Sequence, residues 1–365
     1  MTLSIRDAQD PAALEAFLGL PDEVYAGDPH YVPISRETVT AALRRPELEE
    51  AQRVLVAMEG GRPVARLAAW RSPALRDEAG RPYGMLGLFE ALDRPEAAGR
   101  LFEEAIGWLR RTGAGPIVGP MDGDTWHRYR LNMGPWDDPP FLLEPYNPRY
   151  YPALWEGHGF EVLERYLSTR VDLGSALAHL VPRHREAIAA GYVLRRLDLS
   201  RFEDELRLLY RLSRVIFADN FLYTEIAEED FLALYTGARR LLDPDLVQFA
   251  AAPDGQPVGF LFAYPDRFQA VAAMRGERGP LALVRYLRHR RTDTVDFKTL
   301  GVLPEHRRSG VAAALMGQGH LEALRKGYRT ANHCLFREGN PSGRMDGGAG
   351  RVLRSYHLYQ WGGGG

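Results

Sequence analysis

The sequence predicts an α/β (α+β) chain made of two similar domains in tandem. Three observations carry this. The 365 residues exceed what one ordinary domain needs. Short apolar runs at strand spacing alternate with helical patterns along the chain. Each half reads strand, helix, hairpin, strand, helix, strand, helix or loop, strand, an order that a duplicated domain explains better than one large fold.

In the first half, "RVLVAM" (53–58) and "VARLAAW" (64–70) are strands joined by the turn "EGGRP". "GMLGLFEAL" (84–92) is a third apolar run. "EAAGRLFEEAIGWLRRTG" (96–113) is an amphipathic helix ending in arginines and Gly113. "PIVGP" (116–120) is a short buried strand. A long loop, 121–140, follows; loops of that length in compact domains are functional or mobile. Beyond it, Asn147 is expected to cap a helix, Pro148 to open it and Gly159 to close it in a left-handed turn. "EVLERYLSTRVDL" is then a strand.

Residues 174–191 read as a short helix and linker, giving expected domains at 1–173 and 192–365. In the second half, "YVLRRLDL" (192–199) is a strand and 202–217 a helix with apolar residues at spacings of three and four. "LVQFAAA", "PDGQP" and "VGFLFAYP" form a hairpin. "TDTVDFKTLGVL" (292–303), "TANHCLF" (330–336) and "RVLRSYHLYQW" (351–361) are strands. Val311, Ala314, Leu315, Leu321 and Leu324 mark one helix face between the first two.

Composition narrows the function classes. The formal net charge of −2 offers no global basic field for nucleic acid. The single cysteine, Cys334, excludes a disulfide framework and a cysteine-based zinc site, and no residue constellation suggests a metal. The N-terminus lacks the layout of a signal peptide and no apolar run approaches a membrane span. A cytoplasmic protein without a membrane partner is expected.

The most informative stretch is "TLGVLPEHRRSGVAAALM". A strand ends at Pro304 and a helix starts near Gly310. The first N–H groups of a helix have no internal partner and favour an anion before them. Gly310 and Ala312 leave room for a ligand against the backbone. Arg307 and Arg308 add positive charge. Neither a Walker loop nor a GxGxxG fingerprint is present.

Arg307-Arg308-Ser309-Gly310-Val311-Ala312, following Val-Leu-Pro, resembles the acetyl-CoA signature of the GCN5-related N-acetyltransferases, the GNAT superfamily. The resemblance covers about 192–361. "YNPRYYPALWEGHGFEVLERY" in the first half is similar to the closing helix and strand of the same family. Taken whole, the chain resembles bacterial tandem-GNAT proteins. This implies that each domain is a mixed, mostly antiparallel twisted sheet flanked by helices. It implies that Leu300, Gly301 and Val302 pair with pantetheine, while Arg307, Arg308, Ser309, Gly310, Val311 and Ala312 hold the pyrophosphate. Asn340 matches a family asparagine that contacts pantetheine or orders the next loop. In the first half the corresponding stretch, "ALDRPEAAGRLF", places Asp93 and Glu96 where anion-binding amides should be. CoA is therefore expected in the second domain alone.

The implied reaction is attack of a primary amine on acetyl-CoA, with a backbone N–H stabilising the oxyanion. Asp296 and Glu338 are candidate bases, with Asp296 and Lys298 expected on one face of a strand. The family's tyrosine acid is missing from "NPSGRMDGGAGRVLRSY", where a loop replaces the usual helix; Tyr356 is the nearest substitute. Phe217, Asn220 and Tyr223 are expected to line the acceptor site, and Trp126 and Tyr129 of loop 121–140 to roof it. His320 and His333 read as structural. Two other readings stay open: a non-catalytic acyl-CoA sensor, and an aminoacyl-tRNA-dependent transferase.

Overall fold

Strand-forming and helix-forming stretches alternate as their residue patterns require, and the chain order is as follows in a computed structural model that describes residues 2–49, 51–240 and 242–363. It begins with β1 (Leu3–Asp7), α1 (Pro11–Val24), α2 (Arg36–Leu43), α3 (Pro46–Glu49), β2 (Gln52–Glu59), β3 (Arg62–Arg76) and β4 (Pro82–Ala91). Next come α4 (Pro95–Arg111), β5 (Ile117–Gly119), β6 (Leu131–Asn132), α5 (Tyr151–Glu156), β7 (Phe160–Asp172) and α6 (Leu173–Ala189). Then follow β8 (Val193–Arg196), α7 (Phe202–Ile216), α8 (Glu228–Thr236), β9 (Val247–Ala251), β10 (Pro257–Pro265), α9 (Phe268–Met274) and α10 (Pro280–His289). The chain ends with β11 (Thr294–Val302), α11 (Val311–Arg325), β12 (Thr330–Arg337) and β13 (Arg351–Trp361).

These elements form two compact units. The first comprises Met1–Arg165, Gln269–His289 and Tyr356–Gly365; the second comprises Tyr166–Phe268 and Arg290–Ser355. In the first unit the strand order is β1-β2-β3-β4-β5-β13, with β6 also on β13. Among the described residues only β4 and β5 run parallel there. In the second it is β7-β12-β11-β10-β9-β8, with β11 and β12 the parallel pair. Each unit is thus the mixed, mostly antiparallel sheet that the sequence led us to expect.

The unit boundaries differ from a division at 173 and 191. Residues 166–172 of β7 pair with β12 in the second unit, and residues 356–361 of β13 belong to the first. Strand pattern says that a segment pairs but not with which partner, so sequence order alone assigned both ends to the wrong side. Residues 174–191 are not a linker. Asp172 caps α6 by accepting from the Ser175 amide at 2.8 Å, a standard helix start. Leu173, Ala176 and Leu180 then join the buried core of the second unit with Val295, Phe297, Leu315 and Met316. A Cβ at Gly317 of α11 would stand 3.5 Å from Leu180 and His184, ordinary contact distance, so α6 packs directly on α11 here.

The first unit has its own core of Leu67, Leu86, Phe89, Leu101, Phe102, Trp155, Phe160 and Tyr359. Phe102 meets Trp155 edge-on at 5.0 Å and Phe160 at 5.0 Å. Gly159 adopts the expected left-handed conformation, and Gly113, read as the end of α4, is left-handed too. Asn147 does not cap a helix. Its Oδ1 accepts from the Asn132 amide at 2.7 Å, tying the long loop to β6, and α5 begins at Tyr151 without a side-chain cap.

If α6 is an integral part of the second unit, Leu180→Ala lowers unfolding free energy by about 2–5 kcal/mol. Urea denaturation of the full chain measures this, and a change under about 0.5 kcal/mol, typical of surface positions, would mean that α6 behaves as a tether.

Candidate functional site

The site starts from two parallel strands that part. β11 and β12 pair from Thr294–Thr330 to Phe297–His333, and their pairing ends there. β12 keeps its other neighbour, β7, as far as Arg337. Both strands are irregular where they separate. On β11, Phe262 faces Thr299 and Ala263 faces Phe297, so the register slips at Lys298 and the strand bulges there. On β12, the register slips between His333 and Phe336, and Leu335 takes φ 43°. A leucine with that φ is strained, and such strain gathers at functional sites. The bulge also interrupts the alternation that would have set Asp296 and Lys298 on one face.

Beyond β11 the chain turns through Pro304–His306 into α11. Gly310 is the residue before the helix, at φ 84°, a region that suits glycine. No side chain of the described residues caps α11 by the usual hydrogen bond from its N-cap position. The Val311 amide lies 3.4 Å from Ser309 Oγ, a long contact. A Cβ at Gly310 would meet nothing closer than the Arg183 carbonyl at 3.8 Å, so the approach to these amides is open. Ser309 Oγ donates to the His306 carbonyl at 2.8 Å, and the Tyr192 hydroxyl meets His306 Nδ1 at 2.8 Å. These bonds hold the turn. Arg307 and Arg308 are both exposed. Arg307 donates to the Ile216 carbonyl at 3.0 Å, which anchors the loop to the end of α7 and commits part of that guanidinium. A diphosphate fits this set: bare amides, a left-handed glycine and a guanidinium.

The other candidates divide by location. Leu300 is half-buried and Val302 buried. Gly301 is explained by packing, since a Cβ there would come within 2.9 Å of Ile216 Cγ2. Ala312, in the first turn of α11, is half-buried. Phe217 is half-buried and meets Phe260 edge-on at 6.1 Å. Asn220 is exposed and Tyr223 half-buried; their amides form successive turns, Asn220 N to Phe217 O at 2.9 Å and Tyr223 N to Asn220 O at 3.0 Å. Arg337, at the end of β12, lies over the Phe221 ring at 5.6 Å. The 217–226 loop is therefore fastened to both arms of the gap, through Ile216–Arg307 and Phe221–Arg337. Sequence reading missed Arg337 and Phe221, which are far apart in the chain and meet only in the fold, and Arg183, because a linker was expected where α6 runs.

Asp296 lies on the paired part of β11, fully buried, and accepts from Asn332 Nδ2 at 2.8 Å; Asn332 accepts in turn from Arg170 at 2.8 Å. That is a structural network at the closed end of the gap. Glu338 is exposed. Asn340 caps the turn 341–344 by accepting from the Ser342 amide at 3.0 Å, so it orders the following loop. Tyr356 belongs to the first unit, where it is buried and its hydroxyl donates to Glu144. The structure does not bring Tyr356 together with 307–312 in one unit. Loop 121–140 is likewise bound within the first unit: Asp124 accepts from Arg45 at 2.6 Å, and Asp122 accepts from the Leu88 amide at 2.7 Å.

Three comparisons with known proteins bear on this geometry. A family model described as the acetyltransferase (GNAT) family matches residues 207–337, which contain the 217–226 loop, β11, α11 and β12. The chain carries a GNAT domain. A curated relative, the bacterial ceramide synthase of Caulobacter vibrioides (strain NA1000 / CB15N), is 27% identical over 291 residues, covering 78% of this chain and 76% of the relative. A tandem GNAT protein from the clavulanic acid biosynthesis pathway superposes with a TM-score of 0.50 at 14% identity, covering 98% of both chains. The glucosamine N-acetyltransferase region of a fungal multi-domain GH3 β-N-acetylglucosaminidase gives a TM-score of 0.55 at 16% identity; 98% of this chain matches 38% of that longer one. At such identities the structures speak to the fold. The family match over 207–337 supports an enzyme of the GNAT type, an acyl-CoA-dependent N-acyltransferase in general terms. Among the described residues no group of three or more His, Cys, Asp or Glu side chains is placed to hold a metal.

His320 and His333 are buried beside the site, with Nε2 atoms 3.3 Å apart and Phe297 against His320 at 4.4 Å. Burial lowers His320 to about 3, helped by its neighbour, and His333 to about 4. Both are neutral in the folded protein. Unfolded histidine titrates near 6.5, so the unfolded chain binds more protons below that value. Stability from this pair is therefore complete above about pH 6.5 and lost as pH falls toward 4. Urea midpoints from pH 7 to 4 should fall, with each imidazole adding up to about 1.4 kcal/mol per pH unit. The His320→Asn, His333→Asn double variant should show a shallower slope; an unchanged slope would refute a neutral pair.

Proposed function

We propose that the second unit binds acyl-CoA at 307–312 and passes the acyl group to a primary amine held between β11, β12 and the 217–226 loop. The observation that carries this reading is the open start of α11, with left-handed Gly310, beside a strand pair that separates. The amides of α11 and the Arg308 guanidinium take the diphosphate. Pantetheine runs along Leu300 to Val302. An amine from the 217–226 side attacks the thioester carbonyl, its proton leaves to water or a nearby base, and the CoA thiolate is protonated on departure. Asp296, bound to Asn332 at the closed end, is better suited to hold the strands than to take that proton.

For the acceptor and the acyl group, the similarity to a protein named a ceramide synthase is the best guide. A ceramide is the N-acyl derivative of a long-chain amino alcohol. We carry that class over: the first pair to test is a long-chain acyl-CoA with a long-chain amino alcohol, and acetyl-CoA, the donor expected from the sequence, is the comparison. The first unit is assigned no CoA. Pro95 removes one amide from the start of α4, Glu96 adds a negative charge there, and the Leu88 amide is already taken by Asp122.

Thiol release from acetyl- and palmitoyl-CoA, measured with a panel of primary amines, tests the reading. Amine-dependent release is expected, faster with the long donor. Arg308→Gln should raise KM for acyl-CoA about tenfold with kcat nearly unchanged, as loss of one charged hydrogen bond implies. Acyl-CoA binding without release in any amine would favour the sensor reading.

A further inference from the structure

Helix α10 turns the wrong side to water. Leu281, Leu283, Val284 and Leu287 are 60%, 55%, 51% and 45% exposed, while the small Ala282 is 1% exposed. The spacings 281–284 and 283–287 put these four aliphatic side chains on one broad face. The helix is thus seated through its alanine side and presents its apolar side outward. Scattered exposed aliphatics are ordinary, but four on a ten-residue helix make a patch.

The patch is flanked in the chain by mostly positive charge. From Arg275 to Arg291 there are six arginines and one glutamate, a net +5 in a chain whose total is −2. Arg275, Arg278, Arg288, Arg290 and Arg291 are exposed. Only Arg285 is half-buried, and it pairs with Glu277 at 2.7 Å. An occupant must accept aliphatic side chains and carry negative charge around them. A second copy of the same face would bring like charges together. A nucleic acid would meet the arginines but leave the leucines unsatisfied. The surface of an anionic bilayer meets both demands: acyl chains receive the leucines and headgroups the guanidiniums.

We infer that α10, with the arginines flanking it, docks this protein on anionic membrane surfaces, where it lies in the interface. Among the described residues no helix is long and apolar enough to cross a membrane; a helix lying in the surface needs no such length. This replaces the sequence-based expectation of no membrane partner. The inference rests on α10 and the arginines that flank it, and holds whatever the acceptor.

Flotation of the full-length protein with vesicles tests it. Vesicles of phosphatidylcholine plus phosphatidylglycerol should carry the protein; phosphatidylcholine alone should not, and raised salt should release it. Two exposed-site variants separate the contributions: Leu283→Gln with Val284→Gln and Leu287→Gln, and Arg288→Gln with Arg290→Gln and Arg291→Gln. Each should weaken vesicle binding about tenfold or more, while acyl transfer to a water-soluble amine stays unchanged. Binding that is absent, equal in all three proteins, or indifferent to lipid charge would overturn the proposal. So would dimerisation that the aliphatic variant abolishes.

Discussion

A helix can offer its first amides to a ligand only where the protein has not already used them. Everything proposed for the second unit depends on that constraint at α11. Gly310 reaches φ 84°, and no N-cap side chain closes the helix start. The turn before it is held by other bonds, Ser309 to His306 and Tyr192 to His306. Rigidity is supplied with only a long 3.4 Å contact from the Val311 amide to Ser309 Oγ among the described bonds at the helix start, which suits a preorganised anion site. The same economy appears in the strands. β11 and β12 pair for only four residues before they part, and each strand has an irregularity where it leaves the other.

The first unit shows what happens when this condition lapses. Its parallel strands β4 and β5 pair at Gly84–Ile117 and Met85–Val118. The chain after β5 then stays on β4: the Met121 amide donates to Leu86 O at 2.7 Å, and Asp122 takes the Leu88 amide. Gly87 exists because Met121 O would stand 2.3 Å from a Cβ there. Leu88, whose amide donates to Asp122, takes φ 48° there. The gap that the second unit keeps open is filled by the protein itself in the first. Long loop 121–140, expected to roof an acceptor site, supplies that filling.

The sequence made the two sheets and the signature legible because their signals are local. Alternation, turn glycines and a helix start act over a few residues. Gly310, Gly113 and Gly159 were each placed by such rules, and each adopts a left-handed backbone. What stayed hidden was set by partners distant in the chain. Residues 166–172 and 356–361 look like interchangeable strands, and their neighbours are chosen by packing. Helix α6 carries Pro182 and exposed charges, so it reads as a linker; its Leu173, Ala176 and Leu180 acquire meaning only against α11. Asn147 has the chemistry of a cap but spends it on Asn132. Tyr356 was a candidate by nearness in sequence, and the chain carries it to the first unit. No element was assigned to 266–291 from the sequence, and the apolar face of α10 shows only in the fold, where the buried residue is Ala282.

The central claim is that the amides opening α11 receive a diphosphate. Hydrogen–deuterium exchange with and without CoA measures those amides directly. The account predicts slowed exchange over residues 309–314 and along 300–302, with no change at the start of α4 (94–99). Unchanged exchange at 309–314 under saturating CoA, or protection at 94–99 instead, would contradict it.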